Sequence, residues 1–440
     1  MIDAAAVLQP SDHRRPIAID LFAGAGGFSL GIEQAGFDVA VAVEKDPIHA
    51  AVYAFNFPQT KVLCADIATL KGTQIQEAVR DWTECNGINL ARTEIDLVFG
   101  GPPCQGFSLM GKRQLNDRRN RLVFEFCRLV KELQPHYFVM ENVPGLCQKK
   151  YQSILKRLMR DFKAAGYEIT KPVQGLNAVN FGVPQQRRRL FLLGTKVGAA
   201  PLVYPEVQLR SPYLFRTVRD AIGDLPNLEN FAELHASDCI ELTPEQLQLM
   251  QALAMPYVEK LRQMISEPGN FAYPRNWNPQ LLTSSMQTQH SLASIERFKE
   301  TPGGQLETIS RLRRLDWDKP CHTLRAGTGA DKGSYTSPRP LHPEYPRVIS
   351  VREAARLHSF PDWFRFHVTK WHGFRQVGNA VPPLLARVVG SQIIAALGIT
   401  PLLPSVSLDV GDTQLLEFRQ LQASRYWKLQ MKPSPNSYDK

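Results

Sequence analysis

A chain of 440 residues is longer than one compact core usually holds, and 43% hydrophobic with 21% charged residues excludes wholesale disorder, so two domains are expected. A formal net charge of +10 and a pI near 9.2 favour an anionic partner, nucleic acid or an acidic membrane surface. No apolar run reaches about 18 residues, and the first residues carry Asp3 and Asp12 without the blocks of a signal peptide, which predicts a cytosolic protein that makes no use of a membrane.

From the start to about residue 195, short β-rich runs alternate with helical stretches. Residues 17–22, 38–44, 61–64, 95–99, 137–140 and 190–193 read as buried strands, and 118–133 and 153–165, the latter closed by Gly166, as helices. This alternation predicts an α/β fold, a doubly wound and mostly parallel sheet with ligands at the carboxyl ends of its strands. Between about 200 and 346 the regularity is lost. Thr243 and Gln246 form a capping box for a helix with Leu247, Met250 and Leu253 on one face; Pro256 interrupts it, and Pro268 and Gly269 end its successor. A polar and aromatic stretch follows over 271–290, and the whole region reads as a second, smaller, irregular domain. Regular signals return after 347. Pro382 and Pro383 precede an amphipathic run with Leu385, Val388, Val389 and Ile393, which Gly398 stops. Residues 401–440 form a tail with one helix near 415–429 and a polar end expected to be disordered.

Chemistry concentrates at the strand ends. The first strand runs into Asp20-Leu21-Phe22-Ala23-Gly24-Ala25-Gly26-Gly27, whose glycines permit a tight turn and close approach of a ligand to the backbone. Glu44 ends the next strand, where a carboxylate can accept ribose hydroxyls, and Asp66 follows the third, where it can accept an adenine amino group. That spacing fits any nucleoside-containing cofactor and does not separate a nicotinamide dinucleotide from S-adenosylmethionine. Directly after the strand ending at Phe99 comes Gly100-Gly101-Pro102-Pro103-Cys104-Gln105-Gly106-Phe107-Ser108. A cysteine on a proline-stiffened turn at a strand's carboxyl end is held toward the ligand cleft, so Cys104 reads as a nucleophile. The seven cysteines are odd in number and contain no Cys-x-x-Cys pair, so neither a disulfide framework nor a metal site is expected.

The glycine loop, the Pro-Pro-Cys segment, Glu141-Asn142-Val143, Gln185-Gln186-Arg187-Arg188-Arg189 and Gly378-Asn379-Ala380-Val381-Pro382 stand in one order along the chain. In this the sequence resembles the cytosine carbon-5 DNA methyltransferase family, from Asp20 to about Gly398 apart from a variable region over 200–315. The resemblance implies a Rossmann-like methyltransferase sheet, S-adenosyl-L-methionine as cofactor, and methyl transfer to carbon 5 of a flipped cytosine. It makes Cys104 the thiolate that adds to carbon 6 and Glu141 the acid at ring nitrogen 3, and it sets Arg187 and Arg189 beside the base, with Arg188 on the opposite face as a solvated charge. Phe22, Gly24, Ala25, Gly26, Glu44, Asp66, Pro103, Leu122 and Asn379 match the family's cofactor contacts. Use of Asn379 implies that the end of the chain folds back, giving a discontinuous catalytic domain of 1–199 and 347–400 around a target-recognition domain of 200–346. Gln105 and Ser108, with Lys112, Arg113, Arg118, Arg119 and Arg121, fall in the family's loop over the flipped base. In the insertion Arg275, Asn276, Gln287 and His290 are the expected DNA contacts, with Trp277, Asn278, Gln280 and Gln289 beside them, and Cys321 is expected to be structural.

The implied partner is double-stranded DNA, with a cognate restriction endonuclease as a candidate second partner of a monomer acting at the nucleoid of the cytoplasm. Three alternatives compete. An RNA cytosine methyltransferase shares the cysteine and glutamate but lacks the large insertion and the Gly106-Phe107-Ser108 continuation. A non-catalytic DNA-binding relative would lack Cys104, Glu141 or the cofactor acids, and all are present. A nicotinamide-dependent dehydrogenase leaves Pro102-Pro103-Cys104 and the arginine run without a purpose.

Overall fold

In the computed structural model, which describes residues 15–87, 94–103, 121–327 and 339–430, the alternating half of the sequence becomes one eight-stranded sheet. Strands β1 (Ile17–Leu21), β2 (Asp38–Glu44), β3 (Lys61–Cys64), β4 (Ile95–Gly100) and β5 (Tyr137–Asn142) run parallel in the spatial order β3-β2-β1-β4-β5. Helices α1 (Gly27–Ala35), α2 (Pro47–Asn56), α3 (Gly72–Cys85) and α4 (Leu122–Leu133) lie in sequence between them, and α5 (Gln152–Ala164) follows β5. The sheet is completed by β6 (Tyr167–Ile169), β7 (Gln174–Asn177) and, after the two-residue β8 (Gln185–Gln186), by β9 (Arg188–Lys196), which pairs antiparallel with β5, β6 and β7. Strand order reverses between β1 and β4, the place where doubly wound sheets open a ligand crevice.

The central strands are apolar on both faces because helices cover both. On one face Ile17, Ile19 and Leu21 pack with Ile75, Val79, Phe126 and Val130 of α3 and α4. On the other, Ala18 and Leu97 pack with Phe28 and Ile32 of α1 and with a helix from near the end of the chain.

Residues 200–346 carry short elements: α6 (Val218–Ile222), β10 (Ile240–Glu241), α7 (Pro244–Ala252), α8 (Pro256–Leu261), β11 (Arg275–Asn276), β12 (Leu281–Leu282), α9 (Leu292–Glu300) and β13 (Cys321–His322). Thr243 and Gln246 do form a capping box, at the start of α7, but of the expected apolar stripe only Met250 is buried and Leu253 is exposed. The region does not close on a core of its own. Leu228, Phe231, Leu234, Met250 and Leu282 form a small cluster, while Val218, Ile222, Tyr257 and Val258 share one with Leu30, Tyr53, Ala354 and Phe364. Ion pairs lock the same seam: buried Arg356 binds Asp224 at 2.5 Å and Asp362 at 2.7 Å, and Arg262 binds Asp362 at 2.9 Å.

The returning segment forms α10 (Val351–Leu357), α11 (Lys370–Asn379) and α12 (Pro383–Leu397), ended by Gly398 in the left-handed conformation. Lys370–Leu397 is by length and composition apolar enough to cross a membrane, contrary to the sequence reading, but it is two helices broken at Ala380 and laid against the core. A Cβ at Gly31 would lie 2.3 Å from Pro383 O, and one at Gly390 2.7 Å from Ala35 Cβ, so α1 and α12 touch backbone to backbone. Beyond residue 400, β14 (Leu408–Asp409) pairs with β11, and α13 (Gln420–Gln430) packs Trp427 against α2, its indole donating to Pro47 O at 3.0 Å. The tail is therefore ordered to 430; the polar end after it lies outside the described residues.

Candidate active site

The carboxyl ends of β1, β2, β4 and β5 meet along one edge, and each carries a constrained turn. After β1, Phe22 holds φ at +69°, a left-handed value that a side chain adopts only under constraint, and Gly24 and Gly26 follow at +58° and +101°. A Cβ at Gly26 would fall 2.3 Å from the Phe57 ring, whereas one at Gly24 would meet nothing within 4 Å. Glu44, at the end of β2, accepts from Gly24 N at 2.7 Å through Oε2 and from Asp46 N at 2.8 Å through Oε1. Each oxygen keeps a further lone pair for a hydroxyl. Below the loop, buried Asp20 takes a hydrogen bond from Ser29 Oγ at 2.5 Å, which takes one from the Tyr53 hydroxyl at 2.8 Å. Burial, opposed by the Ser29 bond and reinforced by the nearby Glu44 charge, pushes the Asp20 carboxyl up to about 8.

At the ends of β4 and β5 the two turns interlock. Asn142 Nδ2 donates to Pro102 O at 3.3 Å, and its Oδ1 accepts from Val143 N at 2.9 Å. A Cβ at Gly101 would lie 2.9 Å from Glu141 Oε2, so a larger residue there would displace that carboxylate. Glu141 Oε1 in turn pairs with Arg189 Nε at 2.9 Å. Burial pushes the Glu141 carboxyl above its ordinary range against the pull of the Arg189 and Arg187 guanidiniums. A carboxyl whose burial favours the protonated form, set against Gly101 three residues before Cys104 and paired with an arginine, suits general acid work at a ring nitrogen.

The Gln185-Gln186-Arg187-Arg188-Arg189 run ties distant segments to this edge. Arg187, fully buried, donates to Leu324 O at 2.9 Å, Gly378 O at 2.8 Å and Ala380 O at 2.9 Å. Gln185 accepts from Leu324 N at 3.0 Å and donates to His358 Nδ1 at 2.9 Å, which leaves the His358 proton on Nε2 to donate to Ala380 O at 3.0 Å. Burial and the nearby Arg187 charge hold His358 well below its ordinary range, consistent with that neutral tautomer. A Cβ at Gly378 would lie 2.4 Å from Ala326 N, so the glycine of the last motif lets the two strands of chain touch.

The chain matches the C-5 cytosine-specific DNA methylase family over residues 17–395. It belongs to that family. The type II methyltransferase M.XorII of Xanthomonas oryzae pv. oryzae is 47% identical over 410 residues, 93% of this chain and 92% of that protein. A solved structure provisionally described as a DNA modification methyltransferase encoded within an E. coli prophage is 34% identical, with a TM-score of 0.68 over 87% of this chain and 99% of that one. The Entamoeba histolytica methyltransferase EhMeth, at 14% identity and a TM-score of 0.52 over 88% of this chain and 99% of that one, shares the fold. The protein is thus a sequence-specific DNA cytosine methyltransferase, and S-adenosylmethionine is the methyl donor of its family.

The methyltransferase's residues fit that donor: an open cradle at Gly24, a strained Phe22 beside it, and Glu44 at hydroxyl-accepting position. Asp66 reaches Lys45 at 2.7 Å, and the Lys45 hydrogen bond holds its carboxyl below the ordinary range, so it stays an acceptor. Pro103 and Asn379 are exposed, and Leu122 is half-buried at the first turn of α4. Cys104, Gln105, Ser108, Lys112, Arg113, Arg118 and Arg119 lie outside the described residues.

Other expected contacts are placed elsewhere. Arg187 is fully buried, its two terminal nitrogens donating to three backbone carbonyls; Arg188 is exposed, as a solvated charge should be, and lines a basic cleft. Arg275 binds both oxygens of Glu33 at 3.0 Å with neither side chain exposed beyond 2%. Glu33 lies in the last turns of α1, toward the amino edge of the sheet, and neighbouring Tyr273 bonds Asp38 at the start of β2. Arg275 and the adjoining Asn276, which bonds Asp409 at 2.8 Å, therefore sit at the edge opposite the reaction. Gln287 is buried, its amide donating to Leu228 O and, at 3.0 Å, to Phe231 O. His290, half-buried against Phe298, accepts from Val348 N at 3.3 Å, and burial holds it neutral. Cys321 is buried in β13 opposite Gln185, as a structural cysteine should be. Asp20 and Gln185 stood inside the sequence motifs with no role assigned to them, and His358 was not singled out.

Proposed function

We propose that the enzyme methylates carbon 5 of cytosine within a specific double-stranded DNA site through a covalent adduct of Cys104, with Glu141 as acid at ring nitrogen 3 and Arg189 positioning it. The Cys104 sulfur bonds to carbon 6; electron density moves toward nitrogen 3, where the Glu141 proton meets it, and carbon 5 becomes nucleophilic. S-adenosylmethionine bound by Phe22, Gly24, Glu44 and Asp66 supplies an activated methyl group. Loss of the carbon 5 proton then expels the thiolate. The observation that carries this reading is the place of Glu141, set against Gly101, three residues before Cys104, with its Oε1 2.9 Å from Arg189 Nε.

Residues 200–346 are read as the target-recognition region and 1–199 with 347–400 as the catalytic part. Type II names among relatives such as M.XorII support a cognate restriction endonuclease as partner, and DNA as substrate supports action at the nucleoid.

Labelled methyl donor offered with DNA, RNA or no acceptor tests the reading. Transfer should occur to DNA alone, Cys104→Ala should abolish it while retaining donor binding, and Glu141→Gln should slow it by roughly two to four powers of ten. DNA containing 5-fluorocytosine should trap wild type covalently. Activity retained by the Cys104 variant, or transfer to RNA, refutes the proposal.

A further inference from the structure

At the catalytic edge opens a cleft of about 740 Å³. Arg188, Arg311, Arg313, Arg325, Arg339 and His322 line it, and no carboxylate does among the described residues. Such a surface suits a polyanion, and on its wall stands a hairpin of unusual construction. Residues 306–313 close through the antiparallel bridge Leu306↔Arg313, with Glu307 N donating to Leu312 O at 2.8 Å and Arg311 N to Glu307 O at 3.1 Å. The Glu307 carboxylate, 1% exposed, is turned inward beneath the tip, where it accepts from Ile309 N at 3.0 Å, from Ser310 N, and from Arg297 Nε at 3.0 Å. Arg311 itself holds a left-handed φ of +59°. A buried carboxylate is thus spent on fixing the backbone of a loop whose Thr308, Ile309, Ser310 and Arg311 side chains all stand in solvent, Ile309 at 69% exposure.

A rigid turn that offers an arginine fork to a cleft, with a bare aliphatic group exposed at its tip, loses little entropy on binding. Its groups match what the major groove displays: a guanidinium for the two acceptors of guanine, an apolar side chain for the thymine methyl. We propose that residues 306–313 are the base-reading element of this methyltransferase, with Arg311 contacting a guanine of the target site and Glu307 as a positioning residue. Arg188, which lines the same cleft, takes a phosphate. The inference rests on the DNA reading above and moves recognition away from Arg275, Asn276 and Gln287, which are turned inward or lie at the far edge.

The full-length enzyme, incubated with donor and a plasmid library of randomised sites, is read by base-resolution methylation mapping alongside donor binding and DNA affinity. Arg311→Ala should relax one guanine position by roughly 10- to 100-fold while donor binding is unchanged. Arg311→Lys should relax the same position with near-normal DNA affinity, since it keeps the charge and loses the fork. Glu307→Gln should loosen the same position less, raising KM more than it lowers kcat. Arg188→Ala should weaken all sequences alike and reduce the salt slope by about one. Wild-type discrimination in both Arg311 variants, or an even loss over all sequences, overturns the inference while leaving the DNA reading intact; a wild type that methylates no DNA overturns both.

Discussion

Replacing Arg275 with alanine should cost stability and leave the choice of DNA sequence untouched. The guanidinium meets both Glu33 oxygens at 3.0 Å, donates to Tyr273 O at 2.6 Å and lies 4.8 Å from the centre of the Trp363 ring. Removing one partner of a buried pair leaves the other charge uncompensated, at a cost of about 3–5 kcal/mol. Unfolding entropy near 2.1 cal/mol/K per residue converts that, for a chain of this size, into a fall in Tm of roughly 3–6 °C. Arg275→Met combined with Glu33→Leu removes both charges and fills the space, and should recover most of the loss. Thermal unfolding followed by near-UV circular dichroism gives the stabilities, and methylation mapping gives the sites. If Arg275→Ala melts within about 1 °C of wild type and modifies different sites, the side chain faces DNA and the reasoning from burial fails.

Asp20 should make stability depend on pH. Its folded-state acid sits near 8 against an ordinary 3.8, so the folded protein keeps a proton that the unfolded chain has lost, and stability falls as pH rises from about 4 and levels off above 8. Wild type should lose roughly 1 kcal/mol between pH 7 and pH 9 that Asp20→Asn does not lose, measured by urea unfolding; parallel pH dependences would show the carboxyl to be ionised throughout. DNA affinity should fall steeply between about 50 and 200 mM salt, because the arginine-lined cleft should bind by releasing counterions. A flat salt response in a filter or anisotropy assay would contradict that use of the charge.

The parallel strands were legible because strands covered on both faces must be apolar throughout, which is why β1, β2 and β4 stand out as continuous runs. Their carboxyl ends then located Phe22, Glu44 and Glu141. The insertion was not legible, since arginines and amides have the same composition whether they bind bases or backbone. The partner of Arg275 is 242 residues away, and no local pattern announces it. Alternation separated the exposed Arg188 from the buried Arg187 and half-buried Arg189, but it did not show how deeply Arg187 is covered. Which face is covered depends on Leu324 and Gly378 arriving there, and only the fold brings them.

That arrival explains how motifs far apart in the chain can share one reaction while the insertion between them varies. Gln185 and Arg187 reach the returning segments through backbone groups, at Leu324, Leu357, Gly378 and Ala380, and through one neutral imidazole. Backbone partners impose no demand on the side chains of the insertion. Arg187 is 191 residues from Gly378, yet the bond needs only that the chain leave and return at fixed points, with glycine at 378 to let the backbones touch. The side chains of the 306–313 hairpin can therefore change, and with them the sequence read, without moving Glu141 or Arg189, because the edge that holds the chemistry is fastened by groups every residue possesses.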